Sequence, residues 1–421
     1  MARSGAIRWT LTTTLVVAAV TFASCTGGGE NAPASKALPP DLQAVLEQVS
    51  TIRGLPAPTG IRAGAITREQ VSRTLKATLT DGDRQAFAHL TTLYRLLGHL
   101  GPGEEYEGAY LAFAGDALIG FYAPKDRALW VVTPDGGTVN FESLERQEQS
   151  TIAHELTHAL QDGSFDVQAL FAKAKDDLDW ILALNAVLEG DAVNIEGAWT
   201  RQYALRPVNA VLAAFGQTES APVSIERELR FPYTNGPEWV SIVRTRSGNG
   251  PIDNVLRGQR LTTAEIIHPG LFEAGFRPET VTLPDLTPAL GDGWKHTSGG
   301  AFGEFQLRNY LQLELTALPA TQAATGWAGD RYDVYSHGAE AVAAFHVLFS
   351  SPDEASEFIT AQDAFFEAAK ATVTSDPARK EASLPDGRTT IRAAAPGAGV
   401  VFVIGSNANV ARAAFDALMG S

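Results

Sequence analysis

Apolar residues recur at helical spacing through the first half of the chain and at strand spacing mainly near its end. Residues 41–49, 67–79 and 83–97 read as helices, the last with Phe87, Leu90, Leu93, Tyr94 and Leu97 on one face. Residues 110–122 (YLAFAGDALIGFY) and 128–132 (ALWVV) read as strands, separated by a turn at Ala123-Pro124-Lys125-Asp126. Helical period returns over 144–160 and over the longer stretch 176–205. From about 220 to 300 the chain is rich in Pro, Gly and Thr, which predicts loops and short helices laid on a scaffold. In the last third, 341–349, 389–394 and 400–404 read as strands, and 352–369 and 407–419 as helices. The pattern predicts an α+β protein. Residues 41–335 form a mainly helical domain with a small sheet, and 336–421 a small α+β module.

The N-terminus changes the picture of where this fold works. Residues 11–22 (LTTTLVVAAVTF) form an apolar run behind Arg3 and Arg8, of signal-peptide length and short for a membrane span. The run leads through Phe22-Ala23-Ser24 into Cys25, the only cysteine, which leaves no partner for an internal disulfide. This resembles a bacterial lipoprotein signal, which implies removal of residues 1–24 and a lipid anchor on Cys25. A plain secretory signal or an anchor helix is the alternative. Residues 25–40 then read as a flexible tether that turns Pro-rich. The formal net charge of −15, more negative still without Arg3 and Arg8, argues against nucleic acid and against electrostatic adhesion to anionic lipid. Membrane contact is therefore expected through the anchor alone, at the outer face of the cytoplasmic membrane or elsewhere in the cell envelope. The sequence contains no phosphate loop of the GxxxxGK[ST] type and no solenoid repeat, and it leaves the oligomeric state open.

The candidate chemistry lies in TIAHELTHALQD, residues 151–162. His154 and His158 stand one helical turn apart, so both imidazoles can reach one ion. Glu155 is carried beside them, where a general base for an activated water must stand. Ile152, Leu156, Ala159 and Leu160 give this helix an apolar back. A catalytic zinc site needs a third protein ligand. Gln161 and Ser164 occupy the places where HExxHxxGxxH would put Gly and His, so a carboxylate from a later helix is expected instead. Glu189 is the candidate, because it sits in an apolar run where an unpaired carboxylate is costly, and Gly190 beside it allows two helices to approach. Glu196 and Asp191 are its rivals; a salt bridge to Arg201 or a lysine is the plainer role for any of the three. Asp162 could accept the second ring N–H of His158, or be an ordinary residue at the end of the helix.

HELTHALQDGSFD followed by LNAVLEGDAV resembles the Glu-zincin (peptidase MA-like) metallopeptidases. More closely, GFYAPKDRALWVV, the His-Glu motif, AVLEGDAV, FPYTNG, TTAEIIHP and GWAGDRYDVY resemble, in the same order, blocks of a group of exported bacterial proteins, over about residues 105–365. Gly163, Thr262 and Ala264 depart from that group's pattern without touching the proposed ligands. The resemblance implies Zn²⁺ held by His154, His158 and Glu189, with Glu155 as general base. It also implies an edge strand, here residues 127–132, that holds an extended peptide by backbone pairing. Tyr233 and His268 are the candidates for stabilising the developing oxyanion, although His268 before Pro269 also suits a structural role in a turn. Asp330 and Arg331 are expected to pair in the wall of the cleft, or to be a solvated loop pair. The function implied is zinc-dependent hydrolysis of peptide bonds outside the cytoplasmic membrane. An amidase of cell-wall peptides would share that chemistry. A binding or scaffold lipoprotein that retains the metal without turnover is the alternative, against which the intact Glu155 argues.

Overall fold

A computed structural model describes residues 35–118, 120–133, 136, 146–175, 177–203, 221–375 and 379–420. The expected signal segment and Cys25 lie outside the described residues. The chain is α+β, as its pattern predicts. Strands β1 (Lys36–Ala37), β2 (Arg62–Ile66), β3 (Gly120–Ala123) and β4 (Ala128–Val132) form a mixed sheet in the order β1-β2-β4-β3, with β2 and β4 parallel. Around it lie α1 (Pro40–Arg53), α2 (Arg68–Thr78), α3 (Asp81–Leu97) and α4 (Tyr106–Ala117). They are followed by α5 (Arg146–Phe165), α6 (Val167–Ala174), α7 (Leu178–Tyr203) and α8 (Val223–Ser247).

Seven antiparallel strands build the second sheet: β5 (Lys295–Gly300), β6 (Trp327–His337), β7 (Glu340–Phe349), β8 (Thr372–Ser375), β9 (Lys380–Ser383), β10 (Thr389–Ala395) and β11 (Gly399–Gly405). Their order is β5-β6-β7-β11-β10-β9-β8. Between and after them lie α9 (Gly303–Leu311), α10 (Ala317–Ala324), α11 (Pro352–Ala368) and α12 (Ala408–Gly420). Ala411, Ala414 and Phe415 of α12 cover one face at Val342, Val401 and Val403. On the other, Phe345 and Phe402 stack at 4.5 Å between ring centroids and share a core with Phe358 of α11, Tyr94 and Leu97 of α3, and Leu307 of α9. The sheet is thus bonded to the helical part through common side chains. Its first strand starts at Lys295, and the boundary expected between residues 335 and 336 falls inside β6.

The element that matters most for chemistry is α5. Its residues 150–161 are all buried, packed against Leu129 and Val131 of β4, Leu46 and Val49 of α1, and Leu184 and Leu188 of α7. A helix buried all round ordinarily carries apolar residues on every side. This one buries His154, Glu155, Thr157, His158 and Gln161 as well, and each polar group needs a partner to offset its lost hydration.

Three expectations change. Residues 110–117 are helical, and only Gly120–Ala123 is strand. The buried residues Tyr106, Tyr110, Phe113 and Ala114 follow i, i+4, i+7, i+8 spacing, and α4 contains no β-branched residue. The Pro- and Gly-containing stretch after residue 220 begins with the long helix α8, which carries Pro232 and Pro237 inside it. Prolines disfavour such a helix locally, but packing along α7 overrides the propensity. Finally, residues 127–132 are not a sheet edge: β4 lies between β2 and β3, and among the described residues β1 and β3 are the outer strands.

The α7–α8 contact depends on two glycines. A Cβ on Gly190 would stand 2.4 Å from the carbonyl carbon and oxygen of Gly236, and a Cβ on Gly236 would stand 2.0 Å from the Ala186 carbonyl oxygen. Asn194 fastens the same crossing, its Nδ2 donating to the Pro237 carbonyl at 3.0 Å. Gly190→Ala should therefore force the helices apart and lower stability by about 1–3 kcal/mol. Thermal denaturation checks this; an unchanged melting temperature would contradict backbone-to-backbone contact.

Candidate metal centre

Helical spacing on α5 and the depth of α7 bring three ligand atoms together. His154 Nε2 lies 3.2 Å from His158 Nε2 and 3.2 Å from Glu189 Oε2, and His158 Nε2 lies 3.3 Å from the same oxygen. Tetrahedral coordination with metal–ligand bonds of about 2.0 Å requires ligand-to-ligand edges of about 3.3 Å. The triangle has that size. All three side chains are buried, and the cluster could hold a metal ion.

The electrostatics agree with a cationic occupant. Burial alone would favour a neutral His154, but its hydrogen bonds to Glu189 and Glu196 prevail and push it up to about 10. Burial works to raise Glu189, yet His158 and His154 hold it below the usual carboxylate range. Burial pushes the Glu155 carboxyl well up. Glu155 Oε2 accepts the Tyr122 N–H of β3 at 2.9 Å, while its Oε1 is buried without a hydrogen-bond partner. An orphaned carboxylate oxygen beside such a triangle is suited to a proton in transit.

The second ring nitrogens are held in a defined way. His154 Nδ1 lies 3.2 Å from Glu196 Oε2, and His158 Nδ1 lies 2.7 Å from Gln161 Oε1. Gln161 Nε2 donates to the Leu188 carbonyl (3.0 Å) and to Asp191 Oδ2 (3.1 Å), which turns its oxygen toward His158. His158 therefore donates from Nδ1 and presents a lone pair at Nε2. Asp191 is in turn clamped by Arg53 Nε at 2.7 Å and by Arg244.

Among the sequence candidates, His154, Glu155, His158, Glu189 and Tyr233 meet here. The Tyr233 hydroxyl hydrogen-bonds Glu189, and burial together with the nearby Glu189 and Glu155 charges keeps the phenol protonated. The rivals for third ligand act one layer out: Glu196 orients His154 rather than pairing with Arg201, and Asp191 anchors Gln161. Asp162 is not the partner of His158. It accepts from the Tyr122 hydroxyl at 3.0 Å, because the residue three positions after His158, not four, faces the Nδ1 side. His268 is paired elsewhere, its Nε2 lying 2.8 Å from Glu304 Oε1 on α9, in the structural role open to a histidine before proline. Asp330 and Arg331 do not pair either, since neighbours on a strand point to opposite faces. Asp330 accepts from the N–H groups of Phe302 and Gly303 and from Trp327 Nε1, and Arg331 pairs with Asp333 at 2.6 Å. Gln161, Tyr122 and Arg53 escape sequence reasoning. Gln161 alone had a local signal, its place one turn after His158.

A cavity of roughly 360 Å³ reaches Glu189 and Tyr233. It passes between α3, α7 and α8, and Ser298 of β5, Gln306 of α9 and Tyr332 of β6 line its far wall. Exposed Gln85 and Lys175 flank it at the surface.

A family model described as a domain of unknown function (DUF8575) matches residues 295–414, the span of the second sheet, and does not include the metal ligands. No curated protein and no solved structure matches the chain.

The centre predicts graded losses of metal affinity. His154→Ala and His158→Ala should leave no stoichiometric metal in the purified protein, and Glu189→Gln should bind it more weakly. Gln161→Leu and Glu196→Gln should each weaken binding by about 10–100-fold through loss of imidazole orientation. Titration against a competing chelator measures all five. Wild-type affinity in Gln161→Leu would exclude the Asp191–Gln161–His158 chain as a support of the site.

Proposed function

We propose that the protein is a zinc metallopeptidase that hydrolyses peptide bonds outside the cytoplasmic membrane. The observation that carries this reading is the triangle of two imidazole nitrogens and one carboxylate oxygen with Glu155 on the same helix. Two nitrogens and one oxygen in a set of tetrahedral size suit Zn²⁺. When bound, zinc supplies Lewis acidity that acidifies water and polarises a carbonyl. The likeness of the sequence blocks to Glu-zincins supports the same reading.

The residues divide the work as follows. Glu155, fixed through Oε2 by the Tyr122 N–H, takes a proton from the attacking water at its free Oε1. The water oxygen bonds to the substrate carbonyl carbon, the C–N bond breaks, and Glu155 returns the proton to the departing amine. Tyr233, a neutral phenol beside Glu189, is a hydrogen-bond donor for the oxyanion that develops at the carbonyl.

Glu155→Gln tests the assignment. The variant should keep wild-type zinc content while cleavage of a broad peptide library falls by at least about 10²-fold. A zinc-loaded wild-type protein that cleaves nothing would sink the peptidase reading. The address at the cell envelope rests on Cys25: Cys25→Ser should move the protein from the membrane fraction to the soluble one, and retention after signal cleavage would count against a lipid anchor.

A further inference from the structure

The cavity that reaches Glu189 and Tyr233 is also lined by a second carboxyl group, Glu228, on α8. Glu228 is buried, and its partners are neutral. Tyr106 donates to Oε1 at 2.8 Å, Gln306 Nε2 to Oε2 at 2.8 Å, and the Tyr94 hydroxyl to the same oxygen. Among the described residues no Lys, Arg or His forms an ion pair with it, and the one lysine along the cavity, Lys175, is exposed. The walls leading to it are apolar: Phe87 and Leu90 from α3, Leu182 from α7, Leu229 from α8.

We propose that this cavity is a specificity pocket for a lysine or arginine side chain of the substrate, with Glu228 as the residue that receives its charge. The inference rests on the peptidase reading above. Glu228 and Tyr233 lie on one helix, five residues apart in sequence, which is about 7.5 Å along its axis. An extended lysine or arginine side chain spans on the order of 6–7 Å from its Cα to its charged group. A residue held beside Tyr233 can thus lay its methylene stem along the apolar walls and its cation against Glu228, with two tyrosine rings alongside. A neutral apolar side chain of the same length would fill the space but give the buried Glu228 carboxyl no cation partner, which disfavours it.

The test uses pairs of peptides identical except for lysine or norleucine at one position, scanned along the peptide. The zinc-loaded full-length wild type should show, at one position, a kcat/KM ratio for lysine over norleucine of about tenfold or more. Glu228→Gln should collapse that ratio, and Glu228→Asp should retain part of it, each at wild-type zinc content. Peptide binding to zinc-loaded Glu155→Gln, read by calorimetry, should show the same preference without turnover. Cleavage with a lysine-to-norleucine ratio near one, or in favour of norleucine, at every position overturns the pocket assignment and leaves the peptidase reading intact. Preference for the lysine peptide in binding, with no cleavage by wild type, upholds the pocket and removes the peptidase reading. Neither preference nor cleavage removes both. If Glu228→Gln fails to fold, the wild-type ratio and Glu228→Asp still decide.

Discussion

Burial of a polar helix governs this structure. α5 is enclosed by α1, α7 and the first sheet, yet it carries two imidazoles, a carboxylate and an amide into the interior. Leaving such groups unpaired would cost on the order of several kcal/mol, comparable with the net stability of a whole domain. Each therefore has an assigned partner, on another element or, for His158, on α5 itself. His154 turns to Glu189 and Glu196 of α7, His158 to Gln161, and Glu155 to the backbone of β3. What remains over after this pairing is one unpartnered oxygen on each of Glu155 and Glu189, beside the two imidazoles. The candidate metal centre is the part of the interior that the protein's own donors do not fully satisfy.

The pairing spreads outward from there. Asp191 takes Gln161, Arg53 and Arg244, and so joins α5, α1 and α8 at one buried carboxylate of α7. Arg53 reaches on to Asp253 at 2.5 Å. A buried ion pair of this kind is a poor source of net stability, because desolvating its charges offsets their attraction. Its worth lies in position. Rotation of α7 about its axis would break the contacts of Asp191 at the same time as it removed Glu189 from the triangle, and the Gly190–Gly236 contact sets how far α8 can stand from that axis.

The candidate ligand cluster was legible in the sequence because helical geometry relates His154 to His158, and because Glu189 is conspicuous in an apolar run. The long amphipathic helices α1 and α3 were legible for the same local reason. Local reasoning stopped where neighbours in space are distant in sequence. Arg53 lies 138 residues from Asp191, and nothing around either predicts the other. Residues 110–117 misled because aromatic and alanine side chains alternate there in a way that suits either a strand or a helix. The start of α8 misled because Pro232 and Pro237 are breakers in isolation, tolerated only where α7 holds the helix. Asp162 for Gln161 was an error of one residue, the difference between i+4 and i+3 on one helix face.

The second sheet has a bearing on how the protein can be divided. Residues 295–414 form a recognisable unit, but Ser298, Gln306 and Tyr332 of that unit line the cavity at whose other side stands Glu189. The residues that could hold a metal lie in one half of the chain, and the cavity that reaches Glu189 is lined by both. A fragment ending before Lys295 would retain His154, Glu155, His158 and Glu189 while losing a wall of the cavity, so that the space would fill with bulk water. Conversely, exchange of the 295–414 unit for a divergent copy would reshape what the cavity admits without altering a single candidate ligand, which makes the join between the two halves a natural place for the cavity to change shape while the buried cluster stays the same.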